Sequence, residues 1–461
     1  MVAYSGRKNL RRPPGRFAFR SPAPHYEGPP DLLRVSAVLL NSQLLSLLEY
    51  KKTMQHSSHK LFRWRLLTLS LLLIASLQTM IFGFFQVADQ SISMEYPSRI
   101  IPLNILFYSV MLVTSLVHPF IMRKFSLQFA LLAGLFSDLL GVSFVWVNEA
   151  VGGMFVLVVF GFLFAGISIV SVINCLVTYL VIEFPRSLSF AMLVLFLFAN
   201  LGILVDTLIY DLLADHSFYP IFCGIVIGLL LLAMYFVYTK FFNPVVPAHL
   251  THLRRSSLIW KELHYRMGLF LGMMLLYGVV ETLLSTWGGI YLLKFVRAVQ
   301  AEQAVVLFWA CMILGQLLLL APIYFFSARK IFSLLMIYTI GVIAFLAEQT
   351  HATGLLAGYI GAGLGCAIIF PALLSFFEKE VLITCSLSKI QSPIAFVETG
   401  ISLMVGGYLA GVGIVNLFVL RHQNYPELFT QSTFYWAAFM LAMIAITSTY
   451  LNWSVNVSRN S

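Results

Sequence analysis

The chain has 461 residues, of which 60% are hydrophobic and only 10% charged, with 29 Lys and Arg against 19 Asp and Glu and a mean hydropathy of +0.89. A soluble globular domain carries about 25% charged residues, so this composition is that of a polytopic membrane protein; it sets aside soluble enzymes and nucleic-acid binders despite a net charge of +10. Residues 1–65 hold 12 Lys and Arg against 3 acids, which assigns the excess charge to the front segment and not to the body.

Residues 1–60 form a basic extension. Its first half is rich in Arg and Pro (Arg11-Arg12-Pro13-Pro14, Pro22, Pro24, Pro29-Pro30), a composition that reads as disordered. Residues 31–48 are Leu-rich but interrupted by Arg34, Ser36, Asn41, Ser42 and Gln43. They fit an interfacial helix, an additional span, or residues that precede the true start, with Met54 as the alternative first residue. An additional span would place a strongly positive segment outside, against the positive-inside rule.

A bilayer core about 30 Å thick needs about 20 apolar residues per helix. The body divides into spans near 66–90, 100–121, 127–147, 154–181, 188–212 and 219–242, then 268–291, 304–326, 331–347, 354–377, 394–420 and 434–450. The pattern predicts an all-α membrane protein of twelve spans in two six-helix bundles, 61–242 and 266–450. A basic cytoplasmic linker, 243–265, would join them, and a cytoplasmic tail, 451–461, would follow. With the N-terminus inside, the cytoplasmic breaks and adjoining span ends collect twelve basic residues, among them Arg123, Lys124, Arg254, Arg255, Arg329 and Lys330. The outer breaks collect Arg99, Lys294, Arg297 and Arg421. Positive loops stay cytoplasmic, so both termini are expected inside and the sequons at Asn452 and Asn456 unused.

The halves repeat. Sliding the fourth span onto the tenth by 197 residues places Gly161, Ala165, Gly166 and Leu176 on Gly358, Ala362, Gly363 and Leu373 without a gap. Small residues at this spacing let helix backbones approach closely, and their equal place in each half is what a parallel-repeat transporter requires. The five cysteines are scattered without a CxxC or His-rich pattern, so neither a disulfide framework nor a metal site is indicated. No cofactor motif stands out either.

Intramembrane carboxylates carry the functional signal, because one at a helix centre costs about 2.5–3.5 kcal/mol on insertion scales. With Asp211 at a span end set aside, five stand inside spans: Asp89, Asp138, Asp206, Glu281 and Glu398. No Lys or Arg lies at comparable depth, and low dielectric disfavours the charged form of an unpaired acid, as a carboxyl that carries a proton requires. Glu281 stands halfway along the seventh span, and helical spacing places Tyr277, Ser285 and Gly288 on its face, with Trp287 close by. Asp89 caps a polar stripe of Gln78, Phe82 and Gln86 in the first span. Asp138 and Asp206 read as solute contacts or as interhelical hydrogen-bond partners. Glu398, one turn into the eleventh span, reads as a gating contact or a water-exposed carboxylate. Asn174 late in the fourth span can bind a solute hydroxyl or bridge two helices. Pro371, preceded by Gly363 and Gly365, should kink the tenth span and supply a gating hinge.

These residues resemble the major facilitator superfamily, and more narrowly its fucose/glucose/galactose-proton symporter branch. The seventh span is similar to that branch through Tyr277, Glu281, Ser285, Trp287, Tyr291 and Leu292. The fourth matches through Gly166, Asn174, Val177, Thr178 and Pro185, and the tenth through Gly363, Gly365, Ile369, Phe370, Pro371 and Ser375. Asp89 falls where the branch has its proton-linked first-span Asp. The loop between the second and third spans departs from the superfamily pattern. In Pro119-Phe-Ile-Met-Arg123-Lys124-Phe125-Ser126-Leu127-Gln128 the usual Asp is an Arg and both Gly positions are lost. Val170 stands where the branch has a proton-coupling Glu, a role that Glu281 is expected to take over.

The resemblance implies a monomeric secondary transporter of the inner membrane, not an enzyme. Its partners would be the lipid bilayer, protons and a small polar solute, with no nucleic acid. Glu281 and Asp89 are the expected proton carriers, Asn174, Gln86, Tyr277, Ser285, Trp287, Asp138 and Asp206 the solute contacts, and Pro371, Gly363 and Glu398 the gating residues. A drug or metabolite antiporter and a non-transporting receptor on the same fold are the competing functions.

Overall fold

The computed structural model describes residues 73–75, 77, 100–151, 154–184, 187–213, 219–238, 257–288, 292, 298–387, 393–422 and 431–460. The basic extension, most of the first span with Gln86 and Asp89, and most of the linker lie outside the described residues.

In hydrocarbon the backbone must satisfy its own polar groups, which an apolar run does by forming a helix. The second to sixth spans are Ile100–Lys124, Leu127–Ala150, Phe155–Glu183, Leu188–Leu213 and Tyr219–Phe236. The seventh is Ser257–Thr282 followed by a π-helical turn, Leu283–Trp287. The eighth and ninth are Ala298–Phe325 and Ala328–Glu348; the tenth comes in two pieces, Ala352–Cys366 and Ile369–Leu387; the eleventh and twelfth are Pro393–His422 and Gln431–Asn460. Ten of the described helices are long and apolar enough to cross a membrane, and the sixth span is a shorter apolar helix. In the break between the second and third spans, Ser126 accepts from the Phe129 N–H at 3.1 Å and so starts the next helix, as an N-cap serine does.

Three boundaries differ from the hydropathy reading. The seventh helix starts inside the predicted linker, at Ser257, and the twelfth continues through the predicted tail to Asn460. The tenth does not stop at 377: it runs on through Glu378, Lys379 and Glu380 because these charged residues are buried or partnered by other helices.

The helix packing repeats with a shift of six spans. The fourth packs on the second and third, and the third on the sixth; correspondingly the tenth packs on the eighth and ninth, and the ninth on the twelfth. The repeated glycines serve equivalent contacts. A methyl group at Gly166 would press on the Phe107 carbonyl of the second span, and one at Gly363 on the Phe308 carbonyl of the eighth. Between halves, the second span lies on the eleventh and the fifth on the eighth, while the fourth meets the eleventh and the fifth meets the tenth. Exchanging the halves maps each of these pairs onto the other, as a pseudo-two-fold axis demands.

Candidate functional site

The best-formed polar site is built around Glu281. Its side chain is 6% exposed, and its carboxyl lies within hydrogen-bonding reach of the hydroxyls of Tyr277, one turn earlier on the same helix, and Tyr408 of the eleventh span. What brings Tyr408 so near is an absence of side chain. A methyl group at Gly278 would run into the Tyr408 carbonyl, and one at Gly411 into the Leu275 carbonyl, so the seventh and eleventh backbones touch along this stretch. Tyr277 and Tyr408 stack with ring centroids 6.2 Å apart. Phe370 of the tenth span meets Tyr408 edge-on at 4.7 Å and Phe196 of the fifth span at 4.6 Å. The two tyrosines at the carboxyl thus begin an aromatic chain that runs through Phe370 to Phe196 of the other half. Tyr408 and Phe196 keep part of their surface uncovered, surface that a solute could cover.

The break in the tenth span supplies further polar groups. Pro371 has no N–H with which to bond the Ala367 carbonyl, and the helix is interrupted between Cys366 and Ile369, as expected for an internal proline. The released acceptors are taken by side chains from two other spans: Tyr277 donates to the Cys366 carbonyl at 3.3 Å, and Gln316 Nε2 donates to the Ala367 carbonyl at 3.1 Å. Gln316 Oε1 in turn accepts from Asn200 Nδ2 of the fifth span at 3.1 Å. The proline break is therefore wired to Glu281 through Tyr277 and to the other half through Gln316.

A second polar seam joins the second and fourth spans to the eleventh. Asn174 Nδ2 donates to Ser402 Oγ at 3.2 Å, and Ser115 Oγ donates to the Ser402 carbonyl. Asn174 is fully buried, and its Oδ1, like Thr178 Oγ1 one turn on, has no hydrogen-bond partner among the described residues. Farther along the same pair of helices, Asn416 donates to the Tyr108 hydroxyl at 2.6 Å. At the opposite end of the fifth–tenth contact, Ser189 and Ser375 hydroxyls lie 2.8 Å apart, and Lys379 Nζ donates to Ser189 Oγ at 2.7 Å. Glu380 receives Arg266 of the seventh span at 3.0 Å and Arg329 of the ninth at 2.8 Å, and Arg329 also reaches Asn452 of the twelfth.

The structure thus gathers some of the sequence-predicted residues and not others. Glu281 and Tyr277 stand together, with Pro371 and Gly363 on the helix that meets them. Ser285 is buried, but it lies in the π turn, whose wider winding ends the regular spacing assumed for Ser285 and Gly288. Asp138 is fully buried in the third span, which packs on the second, fourth and sixth and not beside Glu281. Asn174 and, one turn before Ser402, the half-buried Glu398 belong to the second seam. The side chains of Trp287 and Asp206, together with Gln86 and Asp89, lie outside the described residues. The sequence reading passed over Tyr408, Asn200, Gln316 and Glu378. The first three carry a legible signal, a polar group within an apolar run; for Tyr408, Gly407 and Gly411 also flank it at the spacing of close helix contacts.

The fold has well-defined relatives among solved structures. An alanine variant of the E. coli fucose:proton symporter FucP matches with a TM-score of 0.65 at 14% sequence identity, covering 83% of this chain and 98% of that one. FucP described as a major facilitator superfamily transporter in the outward conformation matches with a TM-score of 0.62 at 15% identity, over 83% of this chain and 99% of that one. No family model and no curated protein matches the sequence. At these identities the likeness speaks for the fold, and this multi-pass membrane chain has the major facilitator fold.

Proposed function

We propose that this chain is a secondary active transporter that carries a small polar, sugar-like solute together with protons by alternating access. Its two six-helix halves, 61–242 and 266–450, would rock about the seam between them, in a cell inner membrane with both termini in the cytoplasm and as a monomer. The observation that carries the reading is Glu281: a buried carboxyl with two tyrosine hydroxyls as its partners, one of which, Tyr408, meets Phe370, itself in contact with Phe196 of the other half.

In this reading each group has a task. With a proton on Glu281, the carboxyl and the two hydroxyls form a neutral set of donors and acceptors able to exchange among themselves and with solute hydroxyls. Loss of the proton leaves a charge whose buried site must be opened to water or neutralised again. Aromatic rings cover the apolar face of a pyranose without limiting its hydroxyl pattern. Asn174 and Thr178, each with an unused buried oxygen, offer hydrogen bonds from the first half. Asp89 and Gln86 are assigned to the same route on sequence position, and Trp287, Ser285, Asp138 and Asp206 remain candidate solute contacts. Pro371, Gly363 and Glu398 would serve the gating movement. The fucose:proton symporters with the same fold support this class of cargo.

The test is uptake of L-fucose and a panel of labelled hexoses into vesicles holding the purified protein, with and without an inward proton gradient. Accumulation is expected to need the gradient and to disappear in Glu281→Gln. Accumulation of an identified solute that ignored both gradient and substitution would refute coupling through Glu281. Extrusion against the gradient would instead identify an antiporter.

A further inference from the structure

Glu378 in the tenth span is 0% exposed, and neither of its carboxyl oxygens has a hydrogen-bond partner among the described residues. The cations around it are engaged elsewhere. Arg266 and Arg329 both bond Glu380, and Lys379 bonds Ser189. The elements packed on this stretch are the fifth, seventh, ninth and eleventh spans. Among the described residues, their ionisable groups toward this end are Arg266 and the exposed Tyr265 of the seventh, Arg329 and the exposed Lys330 of the ninth and Glu398 of the eleventh, while the fifth presents Ser189. Glu378 follows Ser375 by one helical turn, and Ser375 is the residue that meets Ser189 across the two halves at 2.8 Å. The buried carboxyl therefore lies beside a contact between halves and outside the Glu281 cluster.

We propose that Glu378 is a second proton-binding site, loaded while the ends of the fifth and tenth spans are in contact and emptied when they part. An ionised carboxylate without donor or counter-charge in this position is strongly disfavoured, whereas the acid form can remain buried. A metal cation is a poor alternative, since even a small one collects several oxygen ligands and no cluster of three His, Cys, Asp or Glu exists among the described residues. Parting of Ser189 from Ser375 admits water, the carboxylate becomes soluble, and the proton leaves on that side. Closure requires its return. The site ties proton occupancy to the state of one gate. It rests on the alternating-access reading for the parting of these helix ends and for the side on which the proton is released.

The test uses the full-length protein in lipid nanodiscs and needs no transported solute. Infrared difference spectra across a pH titration are expected to contain the carbonyl stretch of a protonated carboxylic acid that is absent in Glu378→Gln, shifted in Glu378→Asp and retained in Glu281→Gln. In a background without the native cysteines, Ser189→Cys paired with Ser375→Cys is expected to cross-link less readily as pH rises relative to a control cysteine pair within one helix, whose rate follows the thiolate fraction alone, and Glu378→Gln should remove that pH-dependent difference. A carbonyl region identical in wild type and Glu378→Gln overturns the proposal, as does cross-linking with unchanged pH dependence. Replacement of the band on exchanging choline for sodium would overturn it in favour of a metal-ion site. A vesicle assay that showed no proton-driven uptake would refute the proposed coupling and leave these spectra to be judged by themselves.

Discussion

Glu281 in the seventh span and Glu378 in the tenth are carboxyls of similar burial, 6% and 0% exposed, set in opposite surroundings. Glu281 has two tyrosine hydroxyls within hydrogen-bonding reach, and from Tyr408 a chain of ring contacts leads through Phe370 to Phe196 of the other half. Among the described residues neither carboxyl oxygen of Glu378 has a hydrogen-bond partner, although Glu380 two residues on holds two arginines. Hydroxyls can be handed from a carboxyl to a solute and back, so Glu281 is equipped for cargo as well as for a proton. Glu378 offers nothing to a solute and is suited to the proton alone. Burial by itself does not separate these roles; the groups that meet each carboxyl do.

The largest expected effect breaks the contrast at its functional end, with Glu281→Gln abolishing gradient-driven accumulation in the vesicle assay. Next in size is Glu380→Gln. Removing one member of a buried ion pair costs about 3–5 kcal/mol, and the 35% exposure of Arg329 places this case at the low end. Thermal unfolding in detergent should register the loss. The freed guanidinium groups would share a helix end with Glu378, two residues from Glu380, and pairing with it should weaken the acid carbonyl band assigned to Glu378 in this variant. A full loss of stability with the band unchanged would show that Glu380 anchors the helix ends without shielding its neighbour.

The two carboxyls were not equally legible in the sequence. Glu281 stands alone in the middle of an apolar run, where hydropathy and cost point to the same residue. Glu378 occurs in Glu378-Lys379-Glu380, which reads as a polar break that ends a span; only the arginines of the seventh and ninth helices and Ser189 of the fifth, all distant in sequence, make it part of a continuing helix. The Pro371 break was legible because it follows from a missing N–H. The recipients of its free carbonyls, Tyr277 and Gln316, were not, since they depend on which helices pack there. The layout of spans and the repeated glycines of the fourth and tenth helices came through for the same reason as Glu281: each follows from local composition. The π turn after Thr282 shows the limit, since nothing in the apolar run signals a change of winding at Leu283.

The surroundings of Glu281 can be disturbed without touching its charge. Gly278→Ala pushes a methyl group against the Tyr408 carbonyl, and overpacking of this kind costs about 1–3 kcal/mol. Separation of the seventh and eleventh spans should lower the melting temperature and move Tyr408 away from the carboxyl, impairing solute binding as well. Gly272→Ala lies on the same helix with nothing within 4 Å of the added carbon, and it should leave both unchanged. Equal effects from the two variants would mean that helix properties, not the close contact, set the position of Tyr408.

The smallest effect sharpens the comparison by asking whether the two halves communicate with the proline break. Asn200→Ala removes the amide that donates to Gln316 Oε1, while Gln316 Nε2 can keep its bond to the Ala367 carbonyl. Hydrogen bonds between membrane helices average about 0.6 kcal/mol, so stability should fall by that order, a shift measurable only in replicate unfolding curves. Gln316→Leu loses the same interhelical bond and also strands the Ala367 carbonyl, and its cost should be larger by the penalty of an unsatisfied acceptor, about 1–3 kcal/mol. If the two variants were equally mild, water or a rewound tenth helix would be satisfying that carbonyl, and Gln316 would be a bridge between halves without a part in holding the break. If Gln316→Leu were the more costly, the same side chain would both hold the break open and tie it to the fifth span, so that movement between the halves bears directly on the helix that carries Phe370 and Glu378.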